Sequence, residues 1–271
     1  MSYEVPPRPD LQPPGRPIDV APPAFPPPPL PADQAAEESR PRATWTWWKA
    51  MLVLLAGIFV ASLAAVAVDL TLPRSAPHVL VGSIVVDIVV LGVLLLWLRV
   101  AHPTWRAVMG FPKSLLRETG AGLVGGLALR FLAIFPVATL LTFLLEAISG
   151  KQVEAPAQLG GKLTGLRLIV AILFAVVVAP ITEEFFFRGL LFNALRARHR
   201  FAVAAGVSGA VFGGIHYLPG PWQDSILLAA VMVFVGFGLA WIYERRRNIA
   251  APMLAHATFN LIGVFVIAFV T

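Results

Sequence analysis

Three charged side chains lie close together in the otherwise apolar stretch PITEEFFFRGLLF, which runs from residue 180 to 192. Glu184 and Arg188 are four residues apart, so a helix would place them on one face, where they can pair. Glu183 is rotated by about 100° from Glu184 and is left without a partner on its own helix. Because an ionisable group in apolar surroundings is costly unless paired or hydrated, we expect Glu183 to face another helix or a polar cavity.

Two histidines and an asparagine occur in similar surroundings further along the chain. His216 lies in SGAVFGGIHY, in which Gly209 and Gly213 would allow a neighbouring helix to approach closely. His256 and Asn260, in LAHATFN, are four residues apart and would project from one helix face. A single histidine of this kind is most often a structural hydrogen-bonding group. Two of them, with an asparagine and an unpaired glutamate, favour catalysis or metal binding.

These side-chain types fit the chemistry of a hydrolase. A carboxylate in a low-dielectric site is a better proton acceptor, so Glu183 is our candidate general base. Asn260 is a neutral donor suited to an oxyanion hole. The two histidines, His216 and His256, have alternative roles, since they can either hydrogen-bond the water and the oxyanion or hold a divalent metal.

The metal alternative needs a third ligand. His216, His256 and Glu184 would then be the ligands of a catalytic zinc with an open fourth position. That role of Glu184 conflicts with its pairing to Arg188. The sequence alone leaves both alternatives open.

Composition places these groups inside a membrane. Of the 271 residues, 58% are hydrophobic and only 13% are charged, and the mean hydropathy is +0.78, which is outside the range of soluble globular domains. Apolar runs near or above the roughly 20 residues needed to cross a bilayer recur along the chain. They predict an all-α polytopic membrane protein with about seven transmembrane helices, at residues 48–68, 79–98, 120–148, 166–195, 202–217, 225–243 and 250–270.

Basic residues divide unevenly between the two sides of the predicted bundle. One side receives only Arg74, Lys151, Lys162 and Arg167. The other receives Arg40, Arg42, Lys49, Arg99, Arg106, Lys113, Arg117, Arg196, Arg198, Arg200 and Arg245 to Arg247. This bias predicts a cytoplasmic N-terminus, with Trp45, Trp47, Trp48 and Trp105 in the interfacial belt. It also favours a bacterial-type plasma membrane, since we find no organelle targeting signal.

The composition of the chain also limits its partners. The net charge is +6, but no soluble basic domain is left over, so we expect the basic loops to meet anionic lipid and expect no nucleic-acid partner. The chain has no cysteine, which excludes disulfides, thiolate metal sites and a cysteine nucleophile.

We predict three regions. Residues 1–44 hold most of the prolines and form a disordered cytoplasmic tail, which we interpret as a spacer, with an SH3-like partner as the alternative. Residues 45–165 form N-terminal membrane helices without a motif. Residues 166–271 form the membrane domain that carries the candidate site.

Two further charges are predicted at membrane depth. Asp87 and Arg130 would lie at similar depths in the second and third segments, so we expect them to form a structural salt bridge. A proton or ion pathway is the alternative. Helix lengths also place His256 nearer the cytoplasmic end than His216. We therefore expect the last segment to be tilted, broken near Pro252, or to begin deeper.

Three motifs together resemble a known family. They are Glu-Glu-x-x-x-Arg at residues 183–188, Phe-x-x-x-His at 212–216 and His-x-x-x-Asn at 256–260. In this order, each in an apolar segment, they resemble the CPBP family, the CAAX proteases and bacteriocin-processing proteins also called Abi, which includes the type II CAAX prenyl endopeptidases. The resemblance covers about residues 166–265.

The resemblance implies an α-helical intramembrane protease in which Glu183 activates water. By position, His216, His256 and Asn260 would complete the site, with Glu184 and Arg188 in support. Members are commonly called metalloproteases, which implies a divalent metal such as zinc. The implied substrate is a lipidated, CAAX-type protein, a peptide or a membrane protein.

Two other functions compete with this interpretation. The first is a non-catalytic binding or bacteriocin-immunity-type protein, in which the motif residues only hold the helices together. The second is a proton-coupled transporter that uses Glu183, His216 and Asp87. The transporter is disfavoured because we find no evident inverted repeat and no matched pair of broken helices.

Overall fold

The apolar runs form helices, because only a helix satisfies all its own backbone hydrogen bonds where water is absent. A computed structural model describes residues 41–71, 77–154, 156, 159 and 162–269. The first 40 residues of the predicted Pro-rich tail lie outside the described residues. The predicted division between residues 165 and 166 stays a prediction.

Eight helices follow one another along the described chain, which contains no β-strand. They are α1 Trp47–Thr71, α2 His78–Ala101, α3 Trp105–Met109, α4 Leu115–Ser149, α5 Gly165–Arg196, α6 Phe201–Ile215, α7 Trp222–Arg246 and α8 Ala250–Phe269. Each of the seven predicted segments corresponds to one of them, and the short α3 is an addition. The predicted all-α fold class is therefore confirmed.

Six of the described helices are long and apolar enough to cross a membrane, the exceptions being α3 and α6. Helix α6 has 15 residues and is therefore about 22 Å long, which is less than the roughly 30 Å of a bilayer core. It ends at Ile215, earlier than predicted, so His216 occupies its C-cap instead of a place inside the helix.

Helix α5 is not a regular α-helix. The α-helical turn Ala179–Glu184, which carries both glutamates, lies between two π-helical stretches, Leu173–Val178 and Phe185–Phe192. π-Helical turns are rare and occur frequently at functional sites. Pro180 explains the first stretch in part, because proline has no N–H and clashes with the carbonyl of the preceding turn.

The helices pack mainly as three pairs, α1 with α2, α4 with α8, and α6 with α7, and α5 lies among them. Glycines permit a close approach of the two backbones in the α6–α7 pair. A Cβ at Gly213 would lie 2.4 Å from the carbonyl oxygen of Ala229, and one at Gly236 would lie 3.0 Å from the Cα of Gly209. The predicted role of Gly209 and Gly213 is confirmed.

The C-terminal part of α5 is the most deeply enclosed segment of the site region. Residues 184–195 are all buried. Trp45 is fully buried as well, and its indole N–H donates to the carbonyl oxygen of Leu190 at 3.0 Å. Trp105 is also buried, whereas Trp47 and Trp48 are exposed. The prediction that Trp45 and Trp105 belong to an interfacial belt was therefore wrong, because protein and not lipid surrounds them.

Candidate active site

Arg188 and Glu184 form a buried ion pair, as their spacing predicts. The guanidinium Nη1 lies 2.8 Å from Glu184 Oε1, and both side chains are fully buried. The other terminal nitrogen, Nη2, donates to the carbonyl oxygen of Gly236 at 2.8 Å. The guanidinium also lies 5.0 Å from the ring centre of Phe212. Arg188 thereby ties α5 to both α6 and α7.

His256 extends this pair to a third helix. Its Nδ1 lies 3.0 Å from Glu184 Oε1, and because the ionised partner of an arginine only accepts, Nδ1 carries the hydrogen and donates. The opposite nitrogen, Nε2, lies 3.9 Å from Glu183 Oε2. Glu184 thus fixes the orientation of the imidazole, and the free edge of the ring faces Glu183. Sequence spacing gave no sign of the bond between Glu184 and His256.

Glu183 is held differently from Glu184. Its side chain is 23% exposed, and its Oε2 is buried without a hydrogen-bond partner among the described residues. Glu184 Oε2 also has none, but the charge of Glu184 is balanced by Arg188 in direct contact. Glu183 is therefore the carboxylate of the site that remains open to a ligand, as the helix-face argument predicts.

His216 and His256 both lie against the ring of Phe212. Its Nδ1 lies 2.7 Å from the carbonyl oxygen of Phe212, and a carbonyl only accepts, so Nδ1 is the donor and Nε2 keeps its lone pair. The Phe212 ring centre lies 4.7 Å from that of His216 and 5.7 Å from that of His256. The two predicted histidines therefore flank one aromatic ring.

Asn260 donates a hydrogen bond to a backbone carbonyl in the first π-helical stretch of α5. Its Nδ2 donates to the carbonyl oxygen of Ala175 at 2.7 Å. Ala179 N–H, which would bond to Ala175 in an α-helix, instead bonds to Phe174 in the π-helical stretch, and Pro180 has no N–H to offer. The distortion of α5 thus frees a carbonyl that Asn260 satisfies, and this bond fixes the asparagine side chain beside α5.

The predicted metal ligands do not fit a three-ligand site. No group of three His, Asp or Glu side chains in the described parts of the chain is placed to hold a metal ion. Glu184, the predicted third ligand, directs Oε1 to Arg188 and His256. His216 and His256 are the remaining members of the predicted set. A divalent metal stays a prediction, and no reaction step below passes through it.

The predicted salt bridge between Asp87 and Arg130 was wrong. Asp87 Oδ2 is buried and lacks a hydrogen-bond partner among the residues that the structure describes. Arg130 instead lies over the ring of Phe259, with its guanidinium carbon 5.0 Å from the ring centre. Depth along a helix predicted the pairing, but α2 and α4 direct the two side chains to different neighbours.

Asp87 lies instead beside the helix that carries the candidate base. Its backbone oxygen accepts a hydrogen bond from Thr182 Oγ1 at 3.4 Å, and its carboxylate lies within electrostatic range of Glu183. The sequence signalled Asp87 only as a charge at membrane depth. Which helix it would face depends on the packing of α2 against α5.

Asn193, which the sequence analysis did not single out, supports the C-terminal part of α5. Asn193 Nδ2 lies 3.0 Å from the carbonyl oxygens of Arg188 and Gly189 and 2.7 Å from Tyr243 Oη. These carbonyls belong to the π-helical stretch Phe185–Phe192. A polar residue in an apolar run was the available signal. Asn193 holds in place the segment that bears Arg188.

Known proteins share the region that contains the site. Residues 165–262 match the family described as type II CAAX prenyl endopeptidase Rce1-like, and this range contains all six predicted site residues. The Bacillus subtilis (strain 168) protein named "Putative membrane peptidase YdiL" is 28% identical over 156 residues, which is 55% of this chain and 60% of that protein. This chain therefore spans less than two thirds of that relative.

No solved structure matches the chain. Six described helices can cross a membrane by length and composition, and the matched relative is named as a membrane protein. The chain is accordingly an integral, multi-pass membrane protein. The resemblance seen in the three motifs is confirmed, since residues 165–262 match the CAAX prenyl endopeptidase family model.

Proposed function

We propose that this protein is an intramembrane endopeptidase in which Glu183 activates the water that hydrolyses a peptide bond. One observation carries the proposal. Glu183 Oε2 is buried without a hydrogen-bond partner among the described residues and faces His256 Nε2 at 3.9 Å. The match of residues 165–262 to a family of endopeptidases supports it.

The reaction needs a base, a positioned water and donors for an oxyanion. Glu183 takes a proton from water while the water oxygen attacks the carbonyl carbon of the peptide. His216 Nε2, which keeps its lone pair, can accept a hydrogen bond from the same water. Asn260 has a second amide N–H beyond the one given to Ala175 and can donate it to the oxyanion. His256, oriented by Glu184, presents its Nε2 to the base.

The products follow when the tetrahedral intermediate collapses. The bond between carbon and nitrogen breaks, and Glu183 returns the proton to the leaving amine. The new carboxylic acid then ionises, so one product ends in a carboxylate and the other begins with an ammonium group. Arg188 and Glu184 take no part in this transfer, because their contacts position His256 and α5.

We propose a substrate that reaches the site from the bilayer: a lipidated, CAAX-type protein, a peptide or a membrane protein. The support is the family described for residues 165–262 and the position of the site among membrane-spanning helices. A cytoplasmic N-terminus and a bacterial plasma membrane remain part of the proposal, supported by the distribution of basic residues.

The proposal is tested by comparing protein termini in membranes of cells that produce the wild type or Glu183→Gln. Glu154→Gln is the matched control, since Glu154 is exposed and undergoes the same change. We expect new termini with the wild type and the control but not with Glu183→Gln. Identical termini in all three samples, at equal protein abundance, would overturn the proposal and favour the binding or immunity-type alternative.

A further inference from the structure

An open cavity lies between α1 and α2, and α5 contributes one residue to its wall. Its volume is about 500 Å³, within the range of sites that hold small ligands. Most of its wall is apolar, with Phe174 contributed by α5. Its polar side chains are Asp69 and His78, whose Oδ1 and Nε2 atoms lie 3.6 Å apart, and Ser83 and Asp87 further along α2.

The Asp87 end of this cavity adjoins the candidate active site. Thr182 Oγ1 donates to the backbone oxygen of Asp87, and the residue after Thr182 is Glu183. Phe174, which lines the cavity, is followed by Ala175, the residue that Asn260 binds. A ligand in the cavity would therefore have one end next to the base and the oxyanion donor.

Asp87 is the residue of the cavity that indicates which kind of ligand would bind there. Asp87 lines the cavity, and its Oδ2 is buried with no hydrogen-bond partner in the described part of the chain. A desolvated carboxylate is unfavourable unless it is paired. The charged neighbour within electrostatic range, Glu183, is itself an acid. A ligand that supplies an N–H group or a positive charge would satisfy this carboxylate.

We propose that the cavity receives the C-terminal product of the cleavage and that Asp87 binds its newly formed α-ammonium group. This inference rests on the proposed function. Hydrolysis adds the hydroxyl group of water to the carbonyl carbon and a hydrogen to the departing nitrogen. The proton of the new carboxylic acid passes to the amine, so the ammonium group arises next to Glu183, where Asp87 lies.

The dimensions of the cavity fit a short peptide. Asp87 and His78 are nine residues apart on α2, which corresponds to about 13.5 Å. An extended peptide covers about 3.3 Å per residue, so three or four residues fill this distance. A hydrocarbon chain would fill the apolar wall equally well, but it would leave the carboxylate of Asp87 without a partner. The buried carboxylate therefore favours the peptide.

The test is direct binding to the purified full-length protein in detergent. The probe is the tripeptide amide Val-Leu-Ala with a free α-amino group, and the control ligand is the same peptide with its amino group acetylated. We expect the wild type to bind the free amine about tenfold or more tightly than the acetylated form. Equal binding of the two peptides by the wild type would overturn the inference.

Two matched variants locate the effect within the cavity. Asp87→Asn keeps the shape of the side chain and removes its charge, so we expect the preference for the free amine to disappear. Asp69→Asn makes the same change at the His78 end of the cavity, and we expect the preference to remain. A preference that survives in Asp87→Asn, or that is lost only in Asp69→Asn, would show that Asp87 does not bind the amine.

The result separates this inference from the proposed function. Glu183→Gln should abolish cleavage yet still bind the free amine, because product binding requires no base. If membranes with Glu183→Gln contain the same protein termini as those with the wild type, while the wild type still prefers the free amine, only the proposed function is wrong. If cleavage depends on Glu183 but the wild type shows no amine preference, the inference fails alone. Oleyl alcohol that binds equally to the wild type and Asp87→Asn, with no peptide binding, would identify a lipid site.

Discussion

Arg188, Glu184 and His256 are linked by direct contacts of 2.8 and 3.0 Å, whereas Glu183 lies 3.9 Å from His256 Nε2 and Asp87 Oδ2 has no hydrogen-bond partner among the described residues. The first set, which we call the balanced set, consists of Arg188, Glu184 and His256. It joins an acid to a base, so its charges are balanced within the protein. The second set consists of two acids, Glu183 and Asp87, and no described arginine or lysine side chain forms an ion pair with either of them. Balanced charges hold helices together, and unbalanced ones mark places where a ligand is expected.

The two sets also differ in what surrounds them. Arg188 and Glu184 are fully buried, in the segment of α5 that other helices enclose on all sides. Glu183 is 23% exposed, and Asp87 lines the cavity between α1 and α2. Neighbouring residues of one helix, Glu183 and Glu184, thus belong to different sets. The difference arises from the helix face that each occupies.

Among the changes considered, removal of Arg188 should have the largest effect on the stability of the protein. In Arg188→Ala, Glu184 stays buried without its cation, and Gly236 loses a donor, so we expect a loss of about 3–5 kcal/mol of stability. Yield and melting temperature in detergent measure it. Arg245→Ala is the control, because Arg245 is exposed. A melting temperature for Arg188→Ala equal to that of the control would show that the ion pair does not hold the helices.

The sequence predicted the parts of the site that depend on local spacing. The four-residue separation of Glu184 and Arg188 sufficed to predict their bond, and apolar run lengths sufficed to predict the membrane helices. The small residues at Gly209 and Gly213 predicted a close helix contact. Each of these signals lies within one segment, where helical periodicity determines which side chains share a face.

The sequence did not predict contacts that depend on how separate helices are rotated. The bond between Glu184 and His256 joins α5 to α8, and the position of Asp87 depends on α2. Depth alone led to the wrong pairing of Asp87 with Arg130. The last helix is also unbroken at Pro252, because this proline lies in its first turn, where the missing N–H has no partner to lose.

A glycine of α6 tests whether close packing maintains the balanced set. A Cβ at Gly213 would lie 2.4 Å from Ala229 O and 2.8 Å from Val233 N, both backbone atoms, so Gly213→Ala should move α7. Overpacking of this kind costs about 1–3 kcal/mol. Gly214→Ala is the control, since nothing lies within 4 Å of its Cβ position.

Thermal unfolding of both glycine variants in detergent measures this difference. We expect Gly213→Ala to melt below Gly214→Ala and to lose activity, because Gly236 on α7 would shift away from Arg188. Equal melting temperatures would show that α7 can retreat without strain. The carbonyl of Gly236 would then not be essential to the balanced set.

Glu183→Gln should have a smaller effect on stability, and one of opposite sign. Gln keeps the volume of the side chain and removes an uncompensated charge. We therefore expect the free energy of unfolding to stay equal or to rise by up to about 1 kcal/mol, so that the variant melts at or slightly above the wild-type temperature. Thermal unfolding in detergent of Glu183→Gln and Glu184→Gln gives the contrast directly. A loss for Glu183→Gln as large as for Glu184→Gln would place both glutamates in the balanced set.

Removal of divalent metal should have the smallest effect. Glu184 Oε1 already contacts Arg188 and His256, and no three His, Asp or Glu side chains among the described residues are placed to hold a metal ion. We therefore expect the cleavage rate after dialysis against a chelator to stay within about twofold of the untreated rate. The same chelator saturated with zinc is the control. Activity that disappears on dialysis and returns with zinc would show that Glu184 is a metal ligand and not a member of the balanced set. The difference between Glu183 and Glu184 would then depend on the bound metal and not on the helix face.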